Sequence, residues 1–289
     1  MKVAIAGGSG KMGQWLAHFL LKEGNQVTII GRDESKLRGV QQKLKVDIAT
    51  DMKAVGQADV ILISVPIDTF EQVTEQIAPH TLSGQVIADI TSVKTLPVEA
   101  MHQHIKNGLV LGTHPVFGPG ARSLTNQNFV LTPTSEKETE LAQKAKRYLE
   151  ERGARASLMT PEEHDEMMAV VLGLSHFIAI ATADSLLSFD KFKQMKEISG
   201  TTYKVLLTLV ESVVSEDAEL YASLQMSLPK MAETEELFQR SLKTWADLVK
   251  NQDRQELIKR MNALKSKLEK VDADFGRAYE NMYQLIEGL

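Results

Sequence analysis

The amino-acid sequence predicts an α/β protein, with a doubly wound, mostly parallel sheet over residues 1–160 and an all-helical domain over residues 161–289. In the first half of the chain, short Val/Ile-rich runs alternate with amphipathic segments, which is typical of parallel βαβ units. Of the 18 glycines and 8 prolines, 14 and 6 respectively fall at or before Gly153. Beyond Thr160, apolar residues recur at helical spacing and helix breakers are few.

The apolar runs predict the strands of the first domain. These are Val3–Ala6, Val27–Ile30, Val60–Val65, Val86–Ile90 and Leu109–Leu111. Asn128–Thr132 and Ala154–Leu158 flank a helical stretch around Glu138–Glu150 and complete the sheet, and another helix is expected over Glu34–Lys43. Such an order indicates a Rossmann-type sheet, whose ligands bind at the carboxyl ends of the strands.

The helical domain begins with Pro161-Glu162-Glu163, a favourable first turn because proline suits the first helical positions and carboxylates suit the positive end of the helix dipole. The helix that follows is apolar on two faces. One stripe comprises Met167, Val171, Leu174, Ile178 and Ala181, and opposite it lie Ala169, Leu172 and Ile180. A helix that is apolar all round must be buried, and we expect it between the two domains or between subunits.

Composition excludes several classes of protein. The 289 residues are enough for two domains, and a formal net charge of −5 offers no electrostatic footprint for nucleic acid. Because the chain has no cysteine, it has no disulfides, thiolate nucleophiles or cysteine-ligated metals. We expect no metal site. The lack of a signal-peptide pattern and of an uninterrupted run of about 18 apolar residues predicts a cytoplasmic protein with no membrane partner.

A glycine-rich motif directly follows the first predicted strand and opens a helix. The pattern G-x-G-x-x-G is matched by Gly8, Ser9, Gly10, Lys11, Met12 and Gly13. We expect Gly8 to permit the tight turn, Gly10 the approach of a pyrophosphate, and Gly13 the packing of helix on strand. The N–H groups of Lys11 and Met12 would face the phosphates. The motif predicts a dinucleotide site.

The end of the second strand bears on the choice of dinucleotide. An NAD enzyme is expected to carry an acid at this strand tip, but Gly31 occupies it. Gly31 leaves room for a 2′-phosphate and Arg32 could pair with it, so NADP is favoured. Asp33 keeps NAD open, although it could also cap the next helix. Ser64-Val65-Pro66 ends a further strand, under the expected nicotinamide ribose.

Candidate chemical groups follow the next two predicted strands. Asp89-Ile90-Thr91-Ser92-Val93-Lys94 comes after one, and Gly112-Thr113-His114-Pro115-Val116-Phe117-Gly118-Pro119-Gly120 forms a loop after the other. Parallel strands end at one edge, so a hydroxyl (Ser92), an ammonium (Lys94) and an imidazole (His114) converge near the nicotinamide. This set suits removal of a hydroxyl proton as hydride leaves the same carbon. The pattern predicts a dehydrogenase.

At these residues the sequence resembles the prephenate dehydrogenase family, the oxidative enzymes of tyrosine biosynthesis. The resemblance covers essentially the whole chain, and its most specific motif is His-Pro-x-Phe-Gly-Pro at His114–Pro119. It also rests on Gly8–Gly13, Ile90–Lys94, Gly173–His176 and Asp217–Ala222. The family implies a homodimer formed through the helical domain.

The resemblance implies roles for individual residues. His114 would be the acid/base group on the ring hydroxyl of prephenate, Ser92 would support it, and His176 would contribute to substrate binding. Lys94 matches a lysine that some members place near the substrate. Decarboxylation of the oxidised ring would then give 4-hydroxyphenylpyruvate.

One position departs from the family. Members typically carry an arginine that binds a substrate carboxylate where Ser212 stands here, and a hydroxyl cannot replace a guanidinium. Lys204, two turns earlier, or Arg122, after His114, could supply the charge. The sequence leaves open arogenate dehydrogenase, a catalytically silent dinucleotide-sensing regulator, and another reductase with this domain plan.

Overall fold

The computed structural model describes residues 1–288 and contains an eight-stranded sheet with helices around it. The strands are β1 (Lys2–Ala6), β2 (Gln26–Ile30), β3 (Asp47–Ala49), β4 (Val60–Ile63), β5 (Val86–Asp89), β6 (Leu109–Pro115), β7 (Asn128–Thr132) and β8 (Arg155–Leu158). The helices among them are α1 (Lys11–Lys22), α2 (Glu34–Leu44), α3 (Phe70–Ile77), α4 (Thr95–His104) and α5 (Glu136–Glu150). The predicted fold class is confirmed.

The strand order is β3-β2-β1-β4-β5-β6-β7-β8, and every pair is parallel except β6 with β7. From β1 the chain winds first toward β3 and then returns through β4 in the other direction. In such sheets ligands bind at the carboxyl ends of the strands beside this reversal.

The sheet differs from the sequence prediction by more than one residue in three places. Strand β3 is absent from the prediction because the three residues Asp47–Ala49 are too few to show a pattern. Strand β4 ends at Ile63, two residues before the predicted end. The predicted loop from Gly112 onward is wrong at its start, because β6 continues to Pro115 and its last four residues pair antiparallel with β7. His114 therefore lies on a strand, opposite Val130.

The two faces of the sheet have separate cores, because successive side chains of a strand point to opposite sides. On β1, Val3 and Ile5 belong to the cluster that includes side chains of α1 and α2. Ala4 and Ala6 belong to the cluster that includes side chains of α3 and α4. Helices thus cover both faces, as a buried parallel sheet requires.

After β8 the described chain is helical. The helices are α6 (Pro161–Met168), α7 (Ser175–Leu187), α8 (Phe192–Glu197), α9 (Thr201–Val214), α10 (Ala218–Ser227), α11 (Met231–Lys250), α12 (Arg254–Val271) and α13 (Ala278–Glu287). A π-helical turn, Ala169–Leu174, joins α6 to α7. This wider turn interrupts the 3.6-residue period, so the continuous apolar stripe that we predicted across it is wrong. Met167 and Val171 are 50% and 52% exposed within the chain.

The chain divides into two compact units. The first comprises Met1–Met168 with Met226–Pro229, and the second comprises Ala169–Gln225 with the chain from Lys230 onward. The continuous helical stretch Pro161–Leu187 is long and apolar enough to cross a membrane by length and composition alone. A core helix of a water-soluble protein meets the same criteria, and 17% of the apolar window is buried within this chain.

Candidate active site

The loop between β1 and α1 brings backbone segments very close together. Gly7 has φ +79, and a Cβ there would lie 2.1 Å from the carbonyl oxygen of Ser64. The motif assigns the tight turn to Gly8, but the left-handed residue is Gly7. A Cβ on Gly13 would lie 2.7 Å from Cα of Gly8. Helix α1 therefore starts in close contact with the end of β1, and the loop lies beside the end of β4.

Gly10 is the glycine of this loop that the protein itself does not require. A Cβ on Gly10 would meet one protein atom within 4 Å, the carbonyl oxygen of Gly7, at 3.4 Å. Gly10 is the N-cap of α1 and supplies no capping side chain, so the N–H of Met12 receives no hydrogen bond from the cap residue. Open space in front of uncapped N–H groups fits the pyrophosphate of a dinucleotide.

The tip of β2 combines a capping acid with an exposed arginine. Asp33 caps α2 by accepting a hydrogen bond from the backbone N–H of Lys36 at 3.0 Å. Arg32 is exposed and has no ion pair within residues 1–288. A Cβ on Gly31 would lie 3.5 Å from Leu37 and 3.6 Å from Oγ of Ser9. Gly31 and the glycine-rich loop are therefore neighbours.

The residues that follow β4 lie against the same loop. The backbone N–H of Ser64 donates to the carbonyl of Ala6 at 2.8 Å. A Cβ on Gly7 would lie 2.7 Å from a methyl group of Val65. Ser64, Val65 and Pro66 are thus placed at the carboxyl edge of the sheet, beside the loop that could hold a dinucleotide.

Asp89, at the end of β5, connects the loop Ile90–Lys94 to β6. Its carboxylate is fully buried and pairs with the ammonium of Lys94. It also accepts hydrogen bonds from the backbone N–H of Thr91 at 2.9 Å and of Thr113 at 3.1 Å. The ammonium of Lys94 donates in turn to the carbonyl of Thr113 at 2.6 Å. Sequence reasoning missed this role of Asp89.

Lys94 has no exposed side-chain surface. Burial lowers the pKa of its ammonium, and the carboxylates of Asp89 and Asp165 oppose that shift. Since Asp89 and Thr113 already bind the ammonium, this geometry favours a role in holding the two strands together over a direct contact with substrate.

His114 is 3% exposed on β6. Nδ1 of His114 lies 2.8 Å from Nε2 of His164, and Nδ1 of His164 lies 2.7 Å from Oδ1 of Asp165. Burial, followed by the positive charge of Lys94 and by His164, holds the pKa of His114 well below 6.5. The imidazole is therefore neutral near pH 7 and able to accept a proton.

Ser92 and Arg122 lie in the loops after β5 and β6. Ser92 is half-buried, and Arg122 is exposed with no ion pair among residues 1–288. The ring of Phe117 packs edge-on against Trp15 of α1, with centroids 5.0 Å apart. This contact ties the loop after His114 to the helix that starts at the glycine-rich loop.

The remaining predicted site residues belong to the second unit. The ring of His176 on α7 packs edge-on against Tyr221 at 4.7 Å, and its buried Nδ1 has no hydrogen-bond partner within residues 1–288. Burial lowers the pKa of His176. Lys204 is exposed on α9, and Ser212 on the same helix donates to the carbonyl of Leu209 at 2.8 Å. No group of three His, Asp or Glu side chains suited to a metal occurs in residues 1–288.

Two family models match successive parts of the chain. Residues 16–158 match the model described as prephenate dehydrogenase, nucleotide-binding domain. Residues 160–263 match the model described as prephenate dehydrogenase, dimerization domain.

Individual relatives agree with these matches. The chain is 34% identical over 265 residues to a probable arogenate/prephenate dehydrogenase of Methanocaldococcus jannaschii, covering 90% of this chain and 59% of the relative. It is 27% identical over 258 residues to the T-protein of Haemophilus influenzae, covering 89% of this chain and 64% of the relative. The chain thus spans about three fifths of the length of these relatives.

A solved structure shares the fold. It is that of prephenate dehydrogenase from Aquifex aeolicus in complex with hydroxyphenyl propionate and NAD⁺. The TM-score is 0.77 at 21% identity, with 94% of this chain and 98% of that chain covered.

Proposed function

The chain belongs to the prephenate dehydrogenase family of oxidoreductases, and we propose that it oxidises prephenate to 4-hydroxyphenylpyruvate and CO₂ in tyrosine biosynthesis. The observation that carries this proposal is the position of His114. It is a buried imidazole near the carboxyl end of β6, in the sheet whose first strand leads into the glycine-rich loop, and burial holds its pKa well below 6.5. A base placed there can take the proton of a substrate hydroxyl.

The reaction makes few demands on the protein. A nicotinamide dinucleotide, when bound, supplies the hydride acceptor. His114 draws the hydroxyl proton while hydride leaves the same ring carbon, and Ser92 supports it. Loss of the ring carboxylate as CO₂ leaves its bonding electrons in the ring, which becomes aromatic. His114 then returns the proton to the phenolate oxygen. The residues need mainly to orient the substrate and exclude water.

Gly8–Gly13 would hold the pyrophosphate, and Ser64–Pro66 would lie under the nicotinamide ribose. We favour NADP because Gly31 leaves the strand tip without an acid and exposed Arg32 is available for a 2′-phosphate. Asp33, the acid that follows this strand tip in the sequence, is already engaged in the hydrogen bond that caps α2. NAD is the alternative, and the Aquifex aeolicus relative was solved with NAD⁺.

The substrate side needs positive charge, because enclosing a carboxylate without a cationic partner is costly. Ser212 stands in place of the family arginine, and Lys94 is bound to Asp89. We therefore assign to the substrate Lys204 and Arg122, which are exposed and have no ion pair within residues 1–288, and His176 contributes a neutral ring. Arogenate dehydrogenase is the second candidate function. The name of the Methanocaldococcus jannaschii relative, probable arogenate/prephenate dehydrogenase, favours keeping it.

We also propose that the active form is a homodimer. The matched dimerization model covers residues 160–263. Within the chain, apolar side chains of Pro161–Leu187 such as Val170 and Val171 remain more than half exposed. A second copy of the helical unit would remove this surface from water.

One assay separates the candidates. Absorbance at 340 nm is followed with NAD or NADP and with prephenate, arogenate or a simple hydroxy acid. We expect the dinucleotide to be reduced when prephenate is the substrate, and faster with NADP than with NAD. Reduction of the dinucleotide by arogenate but not by prephenate would select the second candidate. Binding of the dinucleotide without its reduction by any of the substrates would indicate a sensor.

A further inference from the structure

We propose that His164 and Asp165 are positioning residues that fix which nitrogen of His114 carries hydrogen, so that Nε2 of His114 is presented to the substrate as a base. This inference rests on the proposed function of His114. It concerns a buried relay, Asp165–His164–His114, defined by the hydrogen bonds between these three side chains.

The relay joins two elements of the first unit. His114 is on β6, and His164 and Asp165 are consecutive residues of α6. Each of the three side chains is nearly or fully buried, with exposures of 3%, 0% and 2%. Because all three side chains are buried, water is kept from the hydrogen bonds between them, which strengthens each bond.

Asp165 is the fixed end of the relay because all its partners are donors. Besides His164, its carboxylate accepts from the backbone N–H groups of Lys94 at 2.6 Å and Thr95 at 2.9 Å, at the start of α4. Burial works against ionisation of Asp165, but these hydrogen bonds outweigh it and lower its pKa. The group is therefore a carboxylate, which can only accept.

The carboxylate then determines the hydrogen positions along the relay. Because Asp165 only accepts, Nδ1 of His164 must carry the hydrogen. Burial lowers the pKa of His164 although the Asp165 hydrogen bond opposes this shift, so the ring is neutral and its Nε2 has a free lone pair. That lone pair requires a hydrogen on Nδ1 of His114. Nε2 of His114 is left as the unprotonated nitrogen, with no hydrogen-bond partner within residues 1–288.

The same arrangement favours the protonated state during the reaction. When His114 takes the substrate proton on Nε2, its Nδ1–H continues to donate to His164. The resulting positive charge is then connected through His164 to the carboxylate of Asp165. A carboxylate that orients an imidazole and stabilises its protonated form has this role in serine proteases, where removing the charge produces the wrong tautomer.

The test compares the wild-type chain with Asp165→Asn. Oδ1 of Asp165 accepts from both Nδ1 of His164 and the backbone N–H of Lys94. An amide nitrogen in its place would donate to Nδ1 of His164 and give up the hydrogen bond from Lys94, which reverses the hydrogen positions along the relay. Two-bond ¹H–¹⁵N spectra of ¹⁵N-histidine-labelled protein report the tautomers without any need for activity. We expect hydrogen on Nδ1 of His114 in the wild type and on Nε2 in Asp165→Asn. We expect kcat to fall roughly 10²–10⁴-fold with KM nearly unchanged.

A purely structural role of Asp165 as the cap of α4 makes a different prediction. Asp165→Asn would then lower the unfolding temperature and leave the tautomer of His114 unaltered, which would overturn the proposal. Asp253→Asn is the matched control, because Asp253 also caps a helix, α12, through the N–H of Glu256. The control should change neither the tautomer nor kcat.

A second pair of variants covers the case in which Asp165→Asn does not fold. In His164→Gln the amide oxygen can still accept from Nδ1 of His114, whereas His164→Leu cannot. We expect kcat of His164→Gln to be at least about tenfold higher than kcat of His164→Leu. Equal values would overturn the relay while leaving the proposed function intact. If the wild type shows the expected tautomer but oxidises no substrate, the proposed function fails and the relay stands.

Discussion

The indole N–H of Trp15 donates to the carbonyl oxygen of Ala121 at 2.6 Å, across 106 residues of chain. Trp15 lies on α1, directly behind the glycine-rich loop, and Ala121 precedes Arg122 in the loop after His114. Together with the contact between the rings of Trp15 and Phe117, this hydrogen bond fixes the loop to the helix that we assign to the dinucleotide.

Replacing Trp15 by Phe keeps an aromatic ring against Phe117 but removes the donor. One lost hydrogen bond costs about 0.5–1.5 kcal/mol, so the unfolding temperature of this unit should fall by about 1–6 °C. We also expect a higher KM for substrate because the loop is less well held. Calorimetry and steady-state kinetics check both. Trp245→Phe on α11 is the control, and an equal effect there would remove the special role of Trp15.

His114→Asn should lower kcat roughly 10²–10⁴-fold while dinucleotide affinity stays nearly unchanged, because only the proton acceptor is lost. In the wild type, kcat should fall only on the acid side of pH 6.5, since burial, Lys94 and His164 hold the pKa of His114 well below that value. A profile of kcat against pH measures this fall. His102→Asn on α4 is the control, and near-normal kcat in His114→Asn would contradict the assignment.

The sheet could be predicted from the sequence because its signals are local. Val3–Ala6, followed by glycines and an amphipathic helix, needs no distant partner to be recognised. Strand β3 and the end of β6 could not be predicted in this way. Their residues become strands only by pairing with β2 and β7, so neither Asp47–Ala49 nor His114 carries a strand pattern of its own.

The candidate site could be predicted only in part, because motif spacing is local whereas the contacts of each side chain are not. Motif spacing brought His114 and the glycine-rich loop to one sheet edge, but it could not show what surrounds each group. The Asp89–Lys94 pair depends on how the loop after β5 folds back. The contact of His114 with His164 joins residues 50 positions apart. Such pairings are set by tertiary packing.

Gly10→Val should abolish dinucleotide binding without unfolding the protein. The protein leaves space beside Gly10, so the branched side chain would enter the region where we place the pyrophosphate. Titration calorimetry with NADP and with NAD measures the affinity. Gly39→Val on α2 is a control, since nothing lies within 4 Å of a Cβ there. Unchanged affinity in Gly10→Val would mean that the loop does not hold phosphate.

Arg32→Ala should weaken the binding of NADP much more than that of NAD, because NAD has no 2′-phosphate for the guanidinium to contact. A charge-assisted contact of this kind is worth about 1.5–3 kcal/mol, or roughly 10–150-fold in affinity. Arg38→Ala is the control, since Arg38 pairs with Glu34 at 2.6 Å. Equal losses for both dinucleotides would remove the basis for preferring NADP.

The substitution Lys204→Gln tests the source of charge for the substrate carboxylates. If Lys204 supplies it, KM for prephenate should rise with a smaller change in kcat, because a contact remote from the hydride contributes similarly to the ground and transition states. Lys193→Gln on α8 is a matched control at an exposed lysine of the same unit. Steady-state kinetics at fixed dinucleotide concentration separate the two parameters.

Adding Ser212→Arg to Lys204→Gln should then restore part of the affinity, since position 212 is where the family presents its arginine. The two positions are eight residues apart on α9, about 12 Å along the helix axis, so the new guanidinium cannot reproduce the position of the ammonium and rescue should be incomplete. If Lys204→Gln leaves KM unaltered and Ser212→Arg weakens binding, the charge comes from elsewhere. Arg122→Gln would then be the next variant to measure, because Arg122 is the other cation that we assign to the substrate.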